Sequence, residues 1–339
     1  MTAMSNGLDH SSIITGRRVF VAGHRGMVGS ALCRRLARED CTLLTVEHHD
    51  LDLTRQSAVE AFMARTRPEI VVIAAARVGG ILANATFPAE FLYDNLMIAA
   101  NLLWAARSTG VAKLLFLGSS CIYPKLAPQP IREDALLTGP LEPTNEAYAI
   151  AKIAGLKLAQ ALSGEHGCRF ITAMPTNLYG PNDNFDPMGS HVIPALMRKI
   201  HDAHEQGRPT VEIWGSGTPR REFLHVDDLA DACLFLLDRY DEAQPINVGS
   251  GDEVTIRELA EQIADVVDYR GSFSFDAAKP DGAPRKLLDT ARLKALGWTP
   301  RIGLHEGLAD AYRHWRARED GAIVPLVSAQ APMGQPAAP

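Results

Sequence analysis

A short apolar strand that runs into closely spaced glycines and then into a helix leaves a chain few folds to choose from. Arg18-Val-Phe-Val-Ala-Gly23, then Gly23-His24-Arg25-Gly26-Met27-Val28-Gly29, then Ser30-Ala-Leu-Cys-Arg-Arg-Leu-Ala-Arg38 have that form. The first glycine permits a tight turn, the second lets backbone approach a pyrophosphate, and the third lets helix pack on strand. The phosphates would meet free N–H groups and the positive dipole end of the helix. The spacing is Gly-x-x-Gly-x-x-Gly rather than the commoner Gly-x-Gly-x-x-Gly, and a dinucleotide is the ligand it predicts.

Strand-like runs at Arg18 to Gly23, Cys41 to Val46, Glu69 to Ala75 and Lys113 to Ser120 alternate with helical stretches. Such alternation predicts an α/β fold, a Rossmann-type doubly wound parallel sheet. Ligands of such sheets lie outside the carboxyl ends of the strands, so Gly23, Ala74 to Ala76 and Ser119 to Cys121 should converge on one crevice. Beyond Pro175 the pattern loosens into an irregular loop over Asn177 to Ser190 and a helix from about Ser190 to Glu205. The expected organisation is a dinucleotide-binding domain over 17–175 and a smaller C-terminal substrate-binding lobe over 176–320, partly interleaved with the sheet. Residues 1–16 and 327–339 are expected to be disordered tails.

Composition narrows the function classes. A formal net charge of -6 offers no electrostatic case for nucleic acid or an anionic membrane, so a phosphate-bearing ligand must be held by local basic groups. No apolar run reaches the roughly 18 residues of a membrane span, and Met1 to Gly16 lacks the order of a secretory signal, which makes the cytoplasm the expected location. The five cysteines form no Cys-x-x-Cys pair, and neither His48-His49-Asp50 nor His201 with His204 has a partner pair at metal spacing. No metal is expected.

Tyr148 and Lys152 stand four residues apart, on one face of a helical turn. A phenol with an ordinary pKa near ~10 is a weak proton donor at neutral pH, and an adjacent cation would bring it toward the working range. Leu117-Gly118-Ser119-Ser120-Cys121 delivers two hydroxyls and a thiol to a strand end, where Ser119 is the better candidate to hold a carbonyl oxygen. Cys121 and His191 taken singly read as well as a small buried hydrophobe and a satisfied polar residue. If both faced a 4-keto sugar, thiolate and imidazolium would be a base and acid for epimerisation. Arg220 and Arg221, after the turn Trp214-Gly-Ser-Gly-Thr-Pro219, and the basic loop Lys279 to Lys286 form a candidate diphosphate grip.

With these motifs in order, the chain resembles the extended short-chain dehydrogenase/reductases that act on nucleotide sugars. The resemblance runs from about Arg17 to Arg316 and rests on Gly23 to Ser30, Leu117 to Lys125, Glu142 to Lys152, Met174 to Pro181, Ser190 to Ala195 and Trp214 to Pro219. It implies a GDP-linked 4-keto-6-deoxy sugar as substrate and NADPH as cofactor. Cys121 and His191 would epimerise C3 and C5. Hydride would then be delivered to C4, with Tyr148 as proton donor, Ser119 on the carbonyl, and Lys152 on the cofactor ribose and lowering the phenol pKa. Ser120, Leu117, Gly118, His48 and His191 would also border the cofactor, and Pro175, Thr176, Asn177 and Leu178 would line its nicotinamide. Lys199, Trp214, Arg221 and Asp281 fall where the family grips GDP. A homodimer through helices near 86–109 and 145–166 is implied as well.

Glu47, 24 residues after Gly23, occupies the place of an acid that binds a free ribose 2'-hydroxyl, so NAD is admissible beside NADP. Two other readings compete: another nucleotide-sugar epimerase or 4-reductase on the same fold, and a non-catalytic NAD(P) sensor. A sensor would need the glycine turn but not Ser119, Tyr148 and Lys152.

Overall fold

The computed structural model describes residues 12–186, 189–279 and 281–321. The tail expected at 327–339 and residues 1–11 of the N-terminal one lie outside the described residues. The remainder of that N-terminal tail is corrected: Ser12 to Gly16 form a turn in which Ile14 is buried. Ser12 Oγ and the Ile13 N–H both donate to Asp238 Oδ1, at 2.9 and 2.7 Å. One buried side chain and a shared carboxylate are enough to dock this segment on the body.

The elements follow the expected alternation. They are β1 (Arg17–Ala22), α1 (Met27–Leu36), β2 (Cys41–Leu44), α2 (Gln56–Thr66), β3 (Ile70–Ile73), α3 (Ile81–Thr86), α4 (Pro88–Thr109), β4 (Lys113–Leu117), α5 (Glu146–His166) and β5 (Phe170–Pro175). After them come β6 (Asn177–Tyr179), α6 (Val192–Glu205), β7 (Thr210–Trp214), β8 (Arg220–His225), α7 (Val226–Arg239), β9 (Ile246–Val248), β10 (Glu253–Thr255), α8 (Ile256–Val267), β11 (Ser272–Asp276), β12 (Arg285–Lys286), α9 (Ala291–Ala295) and α10 (Leu304–Glu319).

Six strands form a parallel sheet in the order β2-β1-β3-β4-β5-β9. Their period of two is legible in the core. Val19 and Val21 join Ile70, Val72, Leu115 and Leu117 under α1 and α7, whereas Phe20 joins Val71, Ile73, Leu114 and Phe116 under α2, α4 and α5. The inner strands β3, β4 and β5 bury both faces along their whole length, which is why they read as nearly unbroken apolar runs, whereas the edge strand β2 does not. The helix α7 and the strand β9 come from beyond residue 176, so the second half of the chain completes the first half's sheet. A third apolar cluster gathers α6, α8 and α10 with β7 and β8.

The strand order turns back between β1 and β3, the neighbours from which the chain departs in opposite directions. That is where an open parallel sheet leaves its ligand crevice. A cleft of 1810 Å³ opens there, lined by Gly23, Ala74 to Ala76, Ser119 to Cys121 and the loop after β5. The expected convergence is therefore met.

Candidate active site

The floor of the cleft is the glycine turn. Gly23 has φ +86°, and a Cβ on Gly29 would collide with the Gly23 carbonyl oxygen, so both positions need glycine for turn and close approach. A Cβ on Gly26 would meet only that same oxygen, at 3.5 Å, and otherwise open space. α1 begins at Met27 with no side-chain cap and no acidic residue in its first turn. Its first N–H groups are left for an anion. These residues fit the diphosphate of a dinucleotide, and His24, Arg25, Met27, Val28 and His48 line the same space.

Glu47 is not free to act as an unopposed acid. Arg25 Nε lies 2.7 Å from one of its oxygens and His24 Nε2 3.4 Å from the other. Its charge is offset by the guanidinium that a 2'-phosphate would also meet, so Glu47 is no obstacle to NADP.

The far wall comes from β4 and α5. Ser119, two residues past the end of β4, caps the one-turn 3-10 helix Ser120–Ile122, its Oγ accepting from the Cys121 N–H at 3.2 Å. This fixes hydroxyl and thiol side by side. α5 lies close against the sheet because a Cβ at Gly155 would run into the Phe116 ring, and the approach sets Tyr148 and Lys152 over the end of β4. Lys152 Nζ donates to Leu117 O at 2.8 Å and stands 5.8 Å from the Tyr148 ring centroid.

Burial is the largest influence on both members of that pair. Burial, then the neighbouring Cys121, hold the Tyr148 phenol above its ordinary range, with a hydrogen bond to Ser119 opposing. Lys152 is itself pushed down to about 8 by burial and spends its hydrogen bond on a carbonyl. Tyr148 rests protonated, which is the form a proton donor needs.

Cys121 and His191, open to either reading from sequence, are brought onto one cleft. His191 sits at the mouth of α6, reached by solvent though protein surrounds most of the ring. Burial, with Lys286 adding to it, holds its imidazole below the ordinary value, so it rests neutral at pH 7. Pro175, Thr176, Asn177 and Leu178 border the cleft. Of the four expected GDP-binding residues, Arg221 and Asp281 line it and Lys199 and Trp214 do not. Trp214 is 67% exposed with Lys279 Nζ 5.3 Å from its ring centroid, and Lys199 is half-buried on α6.

Two cleft residues escaped sequence reasoning. Asp183 is buried, its carboxyl pushed up to about 7 by burial, with Oδ1 accepting from the Asn184 N–H and Oδ2 unpartnered. In an Asn-Asp-Asn loop no periodicity marks such a residue. Lys286, read as part of a diphosphate loop, instead donates to Cys121 Sγ at 3.6 Å.

Comparison with known proteins agrees with this geometry. The chain matches the model of the NAD dependent epimerase/dehydratase family over residues 19–249. It is 59% identical over 296 residues to GDP-L-fucose synthase 1 of Arabidopsis thaliana, covering 87% of this chain and 92% of that one. To GDP-L-fucose synthase of Escherichia coli it is 54% identical over 314 residues, with 90% and 98% covered. Among solved structures it is similar, at TM-score 0.83 and 28% identity, to a GDP-L-fucose synthetase from Naegleria fowleri bound to NADP, covering 92% of this chain and 98% of that one.

Proposed function

The chain belongs to the NAD dependent epimerase/dehydratase family, and from that premise we infer that it carries out the reaction of the GDP-L-fucose synthases, an NADPH-dependent conversion of GDP-4-keto-6-deoxy-D-mannose to GDP-L-fucose. The observation that carries this reading is the meeting of a thiol, an imidazole and a protonated phenol around one cleft that also holds an anion-ready glycine turn. A plain 4-reductase needs the phenol and the turn but neither Cys121 nor His191.

Bound at the glycine turn, NADPH supplies the hydride that reduces C4. The chain's own residues do the rest. Cys121 Sγ, as thiolate, takes the proton from the carbon alpha to the 4-keto group; the C–H bond breaks and its electron pair passes into the enolate. The His191 ring, protonated from water, returns a proton to the opposite face of that carbon, and the Cys121 proton leaves to water. The same exchange at the other alpha carbon completes the 3,5-epimerisation. Ser119 Oγ then holds O4 while Tyr148 Oη gives it a proton. Lys152 serves the cofactor ribose, and Arg221 the diphosphate of the substrate, whose charge offsets the desolvation that holds the guanidinium below its ordinary value.

Two features support finer readings. Phe87, Tyr93, Leu96 and Trp104 on or beside α4 and Ile150 on α5 are exposed, which suits a homodimer through these two helices. All five cysteines are free, as suits a reducing cytoplasm, and no helix among the described residues is long and apolar enough to cross a membrane.

Incubation with GDP-4-keto-6-deoxy-D-mannose and NADPH in heavy water tests the reading. The expected result is one equivalent of NADPH oxidised, deuterium at C3 and C5, and GDP-L-fucose by NMR. Oxidation without deuterium would make the protein a simple 4-reductase, and binding without oxidation would make it a sensor.

A further inference from the structure

Lys286 has a placement that substrate gripping does not explain. β12 pairs in parallel with β8, setting Arg285 opposite Arg220 and Lys286 opposite Arg221. Successive side chains on a strand alternate faces. On one face, Arg285 Nε and Arg220 Nε each donate to Glu253, both at 2.8 Å. The other face presents Lys286 and Arg221 to the cleft, which Arg285 also borders. Two adjacent cations in one cleft repel, yet only Lys286 reaches the thiol: its Nζ lies 3.6 Å from Cys121 Sγ.

The strand that carries Lys286 is held on both sides. The Leu287 N–H donates to Gln129 Oε1 at 2.9 Å, the Leu288 N–H to Glu222 Oε2 at 3.0 Å, and the Ile131 N–H to Leu287 O at 2.8 Å. Glu222, fully buried, also accepts from the Gly251 N–H at 2.7 Å. Cys121 is fixed from its own side by the Ser119 cap. Both partners of the contact thus sit on backbone whose position is determined elsewhere in the molecule.

We propose that Lys286 is a positioning residue of the epimerisation half-reaction, its ammonium pairing with the sulfur of Cys121 so that the sulfur is carried as thiolate and aimed at the sugar carbons. The proposal rests on the reading of Cys121 as the base. A cation in contact with a thiolate favours the reactive form. The same charge acts on His191, adding to burial in keeping the resting ring neutral. Lys286 itself gains and loses no proton in the cycle: the substrate C–H proton goes to Sγ and from there to water, and the ammonium remains charged throughout. Hydride transfer and the Tyr148 proton do not involve it.

The test uses the full-length protein with Lys286→Gln, Lys286→Met and Lys286→Arg, and Cys121→Ser as the reference. Iodoacetamide labelling of Cys121 at neutral pH, read by peptide mass spectrometry, reports the thiolate without any substrate. Deuterium entry at C3 and C5 reports epimerisation. Lys286→Gln and Lys286→Met are expected to slow both by about tenfold or more, and Lys286→Arg to restore most of each, because it returns the charge. Should the Met variant fail to fold, the Gln variant, close in length to lysine, makes the same comparison. Labelling at the wild-type rate in Lys286→Gln overturns the proposal alone. Equal slowing in the Gln and Arg variants also overturns it, because charge would then not be the cause. Unchanged exchange in Cys121→Ser overturns the base assignment, and the proposal with it.

Discussion

Arg25 and Glu47 face each other across the mouth of the glycine turn, with Arg25 Nε 2.7 Å from a Glu47 oxygen. The guanidinium is largely exposed and the carboxylate is not. An acid that would otherwise repel a 2'-phosphate is thus neutralised by the group best shaped to bind one.

Cofactor preference should follow from that pair. Arg25→Ala is expected to lower kcat/KM for NADPH relative to NADH by roughly tenfold to a hundredfold, since it removes a charge-assisted contact and leaves Glu47 unopposed. Glu47→Ala should leave NADPH preference intact or raise it, the arginine being freed. A preference unmoved by Arg25→Ala would show that the 2'-phosphate is held elsewhere.

Tyr148→Phe separates the two half-reactions. Loss of a general acid costs on the order of 10² to 10⁴ in rate, so reduction should fall by that much while deuterium still enters at C3 and C5. Normal reduction by the variant would remove Tyr148 from the donor role. Its raised phenol pKa, set by burial, also means that the donor form persists well above neutral pH.

Cys121→Ser and His191→Asn should act on the other half. Serine has no accessible anion at neutral pH, so exchange at C3 and C5 is expected to drop by a factor of roughly 10² or more. In His191→Asn, exchange should fall or the deuterium should appear on the wrong face, which NMR coupling constants of the product distinguish. Wild-type exchange in both would return the two residues to structural roles.

Asp183 carries a pH-dependent cost. Its folded pKa is raised from 3.8 to about 7, so the folded state holds a proton that the unfolded state has released, and stability falls as pH rises through that interval. The full penalty applies above pH 7 and none applies well below 4. Asp183→Asn should therefore be more stable than the wild type at pH 8, by on the order of a few kcal/mol. The difference should vanish near pH 3.5 in denaturant titrations. A gap independent of pH would mean that the carboxyl is not the cause.

Much of this molecule could be read from local sequence. The glycine turn, the alternating aliphatic strands and the Tyr148–Lys152 spacing each express a rule that operates over a few residues: a φ that only glycine adopts easily, a period of two, a helical turn. Such rules need no knowledge of distant contacts, so the parallel-sheet class and the residues converging on its crevice were legible. The pairing of Cys121 with His191 came only from resemblance, because the two reach one cleft from separate parts of the chain, the loop after β4 and the start of α6, and nothing in their own neighbourhoods marks it. Tertiary structure alone decided three further matters. Burial against the end of β4 set Lys152 on the Leu117 carbonyl and held the Tyr148 phenol above its ordinary range. An ion pair joined residues 25 and 47 and offset the charge of Glu47. The parallel register of β12 on β8 turned Lys286 toward the thiol. Charge and direction depend on what lies across the fold, and sequence spacing carries no record of that.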